Sequence, residues 1–424
     1  ETNCESVMKE LQSKQLDYIV QLFGEGDEAP DMNWVSQLEV NPKTGHAATT
    51  VENIRIIVKN DPRFKGAFYW DEFMERPMVC GDLPWRKADA KPRSWDDTDD
   101  AGVHNVLEKD YKIDSMPKTR EGVDLALADV TRHPVREYLR SLIWDGEKRC
   151  ETLFIDYLGA EDSRYTRTVT RKALIGAAAR ILSPGCKHDH MLVLIGPQGC
   201  RKSTTLKKLG KEWFSDSLYT MSGKDAYEQL QGFWIIELSE MAATRKAEVE
   251  QIKQFISKQE DNYRAAYARR TQCHPRQCAF FGTTNDEEFL RDPTGARRFW
   301  PVVVTDAGKT LGDKLTASIV DQIWAEAVTY YEAGETWYLD GAVEEMARKV
   351  QADHTEANGK LGLIENFLEV LLPEGWDDWD LEKRLMFWSG GFGEERNGTV
   401  PRTKVCALEV WQELFKGDPK SYSQ

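Results

Sequence analysis

The stretch "MLVLIGPQGCRKSTTLKKLG", Met191 to Gly210, sets two glycines, a lysine and a hydroxyl between an apolar run and a helix-forming run. These residue types in this order can hold a polyphosphate. Met191 to Ile195 reads as a buried strand and Lys202 to Leu209 as a helix. Between them, Gly196 and Gly199 supply permissive backbone without side chains, so N–H groups can wrap an anion at the positive end of the helix. Gly196, Pro197, Gln198, Gly199, Cys200, Arg201, Lys202, Ser203 and Thr204 are thus the expected ATP cradle, with Lys202 on the phosphates and Ser203 on Mg2+. One residue departs from the rule G-x-x-x-x-G-K-[ST]: Arg201 stands at its second glycine. The expectation is a negative φ there, with the side chain turned out of the cradle. An ordinary strand-turn-helix corner shares the outline but not the coincidence of strand, glycines, lysine, hydroxyl and helix.

A phosphate loop serves kinases, GTPases, ATPases and motors alike, so the choice rests on the strands that follow. "WIIELSEM" ends an apolar run with Glu237 and Glu240, carboxylates able to hold magnesium and to polarise an attacking water. Glu237 is assigned to the metal and Glu240 to the water; the reverse stays open, as does a pair of surface charges. "FFGTTN" ends the next run with Thr283, Thr284 and Asn285, and Asn285 is the candidate sensor of the γ-phosphate, a strand-capping turn being the alternative. "RDPTGARRFWPV" then brings Arg291, Arg297 and Arg298 on a Pro-Thr-Gly turn. Such cations stabilise charge on a transferring phosphoryl group, and in ring assemblies they come from the neighbouring subunit.

Between the acidic and sensor strands lies "NYRAAYARRTQCHPR", Asn262 to Arg276, basic and aromatic with no carboxylate. It can form a hairpin projecting from the sheet. Arg264, Arg269, Arg270 and Arg276 are expected to meet DNA phosphates, with Tyr263 and Tyr267 stacking on bases. A solvated hairpin or a subunit contact remains the alternative.

Strands alternating with helices around a phosphate loop call for an α/β domain with a mainly parallel sheet, its ligand at the carboxyl ends of the strands. Four regions follow along the chain. Residues 1–30 form an amphipathic helix, Ser6 to Phe23, and a linker; 31–135 a small α+β domain; 136–340 the P-loop ATPase with a helical lead-in; and 341–424 a helix-rich part, with "TKVCALEVWQELF" as its clearest amphipathic segment. The start at Glu1 and the stop in the polar "GDPKSYSQ" read as the ends of an excised fragment.

The chain has 424 residues, 41% hydrophobic and 30% charged, without an eighteen-residue apolar run or a signal-peptide pattern, which points to the cytoplasm and away from membranes. Eight cysteines without C-x-x-C pairs argue against a structural zinc site or a disulfide framework, and "CKHDH", Cys186 to His190, lacks a second ligand pair. A net charge of −15 opposes non-specific nucleic-acid binding, but its distribution matters more than its sum. Acidity gathers in runs such as "WDDTDDAG" and "GWDDWDLE", read as solvated loops.

The segments "HPVREYL", "WDGEKR", "GPQGCRKST", "IIELSE", "YARRT", "GTTNDEEFLRDPTGARRFWPV" and "ALEVWQELF" together resemble the virulence-associated protein E family of phage and island replication proteins, whose motor belongs with superfamily 3 helicases. The resemblance runs from about Met32 to the end. It implies a P-loop core of AAA+ type acting as an ATP-driven ring, usually hexameric, on single-stranded or forked DNA in the bacterial host cell, alongside other replication proteins. Two other readings keep the same loop: an ATP-gated, DNA-binding initiator that does not unwind, and a small-molecule kinase that ignores DNA.

Overall fold

The computed structural model describes residues 33–239, 246–263, 270–286, 289, 296–354, 364, 367–389 and 398–418. Thr50 opens the helix Val51–Asn60 by accepting from the Asn53 N–H, and Ile54, Ile57 and Val58 bury one of its faces. Strands β1 (Phe68–Asp71) and β2 (Arg76–Val79) pair antiparallel; β3 (Arg93–Ser94) adds to β2, and β4 (Thr131–Arg132) runs parallel to β1. Helices Asp97–Tyr111 and Met116–Ala128 complete this unit, and Phe64, Phe68, Val103, Leu107, Tyr111 and Val123 share its core.

One acidic run departs from expectation here. "WDDTDDAG" is the start of the helix Asp97–Tyr111, where Asp96 accepts from the Thr98 N–H and the Asp99 carboxylate accepts from the Asp96 N–H. Carboxylates gather there because they satisfy the orphan N–H groups at the positive end of the helix. Asp99 also receives two guanidinium bonds from Arg93, at 2.6 and 2.7 Å.

The helix Arg164–Leu182 then leads to the central sheet of five parallel strands. Its members are β5 (Met191–Ile195), β6 (Phe214–Ser215), β7 (Ile235–Leu238), β10 (Ala279–Thr284) and β11 (Phe299–Val303). Their spatial order is β11-β5-β10-β7-β6. Both faces are covered, which explains the unbroken apolar runs. Leu192 and Leu194 of β5 enter a core built with the helices Arg164–Leu182 and Ala317–Glu332, whereas Met191, Val193 and Ile195 pack with Ile252 and Phe255 of the helix Lys246–Ile256 on the other side. Between β7 and β10, β8 (Glu260–Tyr263) and β9 (Gln272–Pro275) form an antiparallel hairpin. The protein is thus a mixed α/β fold. Beyond it, Leu372, Trp376 and Phe387 make a small aromatic cluster. Among the described residues, no helix is long and apolar enough to cross a membrane.

Candidate functional site

The sheet order decides what can meet at the loop. β10 lies between β5 and β7, so the residues ending β10 stand between the loop that follows β5 and the acidic end of β7. A cleft of ≈ 460 Å³ opens there, lined by Gln198, Gly199, Lys202, Ser203, Thr283 and Asn285 among others. Gly196 is needed for close approach, since a Cβ would stand 2.5 Å from the Val304 carbonyl oxygen that follows β11. Gly199 has φ +83°. Pro197 and Gln198 are exposed at the turn, Cys200 is buried beneath it, and Thr204 is exposed on the first turn of the helix Lys202–Gly210.

Arg201 corrects the expectation of a negative φ. Its φ is +67° and its ψ +26°, the left-handed conformation that the missing glycine would have taken. The side chain does leave the cradle: Nε donates to the Lys309 carbonyl at 3.1 Å, and Nη2 donates to Asp313 at 2.8 Å. These two bonds offset a backbone conformation that costs an L-residue about 1 kcal/mol.

Lys202 is buried with its ammonium in the cleft, donating to the Gly196 carbonyl at 2.6 Å, the Pro197 carbonyl at 3.0 Å and the Asn285 Oδ1 at 2.9 Å. All three acceptors are neutral. Glu237, almost wholly buried, accepts at Oε1 from the hydroxyls of Ser203 and Thr283, each at 2.6 Å. Among the described residues, its Oε2 is buried without a hydrogen-bond partner. A buried carboxylate with one oxygen unsatisfied is costly, and a divalent cation reached together with the Ser203 hydroxyl is a fitting partner. Glu240 lies outside the described residues.

The arginines divide. Arg291 lies outside the described residues. Arg297 and Arg298 precede β11, whose Phe299 pairs with Met191 at the amino end of β5, so they occupy the sheet edge opposite the loop. Six strand steps of ~3.3 Å separate that edge from the cradle, roughly 20 Å. Arg298 is half-buried and donates to Ser257 Oγ at 2.9 Å, whereas Arg297 is exposed beside Lys187, His190 and Trp300. "CKHDH" borders the same edge. Burial and the nearby Arg180 push the His188 imidazole well below its ordinary pKa, and His190 stacks on Trp300 at 4.5 Å.

In the hairpin, Arg264, Tyr267 and Arg269 lie outside the described residues, and Arg270 is exposed. Arg276 is corrected from a DNA contact to a buried residue. Its guanidinium donates to both oxygens of buried Asp261, at 2.6 and 2.9 Å, and to the Phe255 carbonyl, and it lies over the Phe255 ring. Tyr263 is likewise buried, stacked on His274 at 4.1 Å. The strand alternation explains both cases: β8 turns Asp261 and Tyr263 inward and Glu260 and Asn262 outward. Thr283 and Thr284 line the cleft beside Asn285, at the strand end where the sequence puts them; Ser239 and Lys309 carry no such signal, Lys309 being a lone lysine more than a hundred residues from the loop with no spacing to mark it.

Residues 139–356, more than half of the chain, match the family model described as a virulence-associated protein E-like domain. No curated protein matches the sequence. Among solved structures, the apo structure of the NrS-1 C terminal region (305-718) shares 14% identity with this chain, covering 77% of this chain and 79% of that one, with a TM-score of 0.36. The A form apo structure of that region shares 11% identity over 87% and 86%, with a TM-score of 0.43.

Proposed function

Because the chain belongs to the virulence-associated protein E-like family, we propose that it is a replication protein of a phage or mobile element, with an AAA+ type core that hydrolyses Mg-ATP to move on single-stranded DNA as a ring. The observation that carries this reading is the pairing of Ser203 and Thr283 on Glu237, beside Lys202 and Asn285, at the carboxyl ends of three adjacent parallel strands. Within one subunit, Lys202 exchanges its neutral carbonyl partners for phosphate oxygens, a stronger charge-assisted bond. Ser203 and Glu237 are the residues that would hold Mg2+, which when bound neutralises charge on the polyphosphate. Asn285, which accepts from the Lys202 ammonium, is proposed to report whether a γ-phosphate is present. Glu240 is proposed to orient the attacking water.

The DNA-facing part is proposed to be the hairpin, through Arg264, Tyr267, Arg269 and Arg270. Its second strand ends three residues before β10, the strand that Asn285 follows. The test is ATP turnover with and without single-stranded DNA on gel-filtered protein, followed by unwinding of a forked duplex. Turnover should rise with DNA, and Lys202→Ala should abolish it while leaving the thermal unfolding transition in place. Undiminished turnover in that folded variant would remove the site assignment; turnover without unwinding would leave an initiator rather than a helicase.

A further inference from the structure

Lys309 lines the nucleotide cleft although it belongs neither to the loop nor to the strand ends beside it. It arrives there because the segment after β11, which includes the short helix Gly308–Leu311, lies flush on the loop. A Cβ on Gly308 would come within 2.4 Å of the Cys200 carbonyl oxygen. Side chains of the loop and its helix tie the segment down: Arg201 to the Lys309 carbonyl and to Asp313, and Lys208 Nζ to the carbonyls of Gly312 and Leu315 at 2.8 and 2.9 Å. The backbone of Lys309 is thereby fixed relative to the cradle. Its side chain passes over Gly199, with Cε 3.9 Å from where a Cβ on that glycine would stand.

The ammonium of Lys309 pairs with Asp306 at 2.9 Å, and both side chains are more than half exposed, at 52% and 63%. An exposed pair of this kind contributes little stability and exchanges readily. A polyphosphate carries several negative charges against the single one on Asp306, and it would lie in the cleft that Lys309 lines. From these contacts we infer that Lys309 is a second cation for the phosphates of a nucleoside di- or triphosphate, delivered by the Arg201 strap and held in reserve by Asp306. The inference rests on the ATP reading of the cleft.

The test is calorimetric titration of the full chain with Mg-ATP and Mg-ADP. Lys309→Gln should raise the Kd about tenfold, as expected for losing one charge-assisted phosphate contact. Asp306→Asn should lower it about threefold by releasing the lysine, and in the double variant the Asp306→Asn gain should vanish. Opposite signs for the two partners distinguish a phosphate contact from a lysine that merely props the segment. Should Lys202→Ala weaken binding while Lys309→Gln leaves the Kd unchanged, this inference falls and the cradle stands. Weaker binding in Asp306→Asn would also overturn it, showing that the pair holds the segment in place. If the wild-type chain binds neither nucleotide, the ATP reading falls and this inference with it.

Discussion

Arg201 adopts a backbone conformation that the loop rule reserves for glycine, and it holds that conformation with its own side chain. The loop is legible in the sequence because glycine spacing, lysine and hydroxyl are local features. The sign of φ at Arg201 is not, since what catches the guanidinium, Lys309 and Asp313, lies more than a hundred residues along the chain. The two effects can be separated by substitution. Arg201→Ala keeps the left-handed strain and loses both bonds; Arg201→Gly loses the bonds but also the strain. Urea unfolding should therefore show Arg201→Gly more stable than Arg201→Ala by about 1 kcal/mol. Nucleotide affinity should follow the same rank, with Gly199→Arg far below both. Equal stabilities for the glycine and alanine variants would mean that the positive φ carries no strain.

At the scale of elements, apolar runs located β5, β7 and β10, while β11 was hidden by Pro301 at its centre and by the arginines before it. Proline reads against a central strand, but β11 is the sheet edge, where its outward side needs no ladder bond. The hairpin was legible as an element, yet not which of its basic residues face water, because that depends on the inward alternation of β8 and on the Phe255 ring. Arg276 and Arg270 should accordingly behave in opposite ways. Arg276→Met leaves the Asp261 carboxylate buried and unpaired and should destabilise the fold by about 3–5 kcal/mol in chemical denaturation, with Asp261→Leu added to it recovering much of the loss. Arg270→Ala should leave stability within about 0.5 kcal/mol but weaken single-stranded DNA binding evenly across sequences and flatten its salt dependence. Unchanged affinity and salt slope in an Arg270→Ala, Arg269→Ala variant would assign the hairpin to packing.

On the scale of the whole molecule, the sheet separates two sets of chemical groups. Lys202, Ser203, Glu237 and Asn285 gather at the carboxyl ends of the strands, and Arg297 and Arg298 stand at the amino edge, roughly 20 Å away by strand rise. That span exceeds the reach of an arginine side chain, so neither can serve the cradle of its own chain. A catalytic role for them requires a head-to-tail neighbour that brings its amino edge against this loop, the heterologous contact that closes into a ring. Of the two, Arg297 is the better placed, being exposed, whereas Arg298 is engaged with Ser257. Arg297→Ala should therefore lose most ATP turnover, by a factor of 10² or more, with nucleotide affinity retained. Mixing the inactive Arg297→Ala and Lys202→Ala proteins under conditions of subunit exchange should restore part of the turnover, because some mixed interfaces unite an intact cradle with an intact arginine. Subunit exchange shown by fluorescence transfer, with no recovery of turnover at any mixing ratio, would remove Arg297 from the site and leave its edge of the sheet a structural surface.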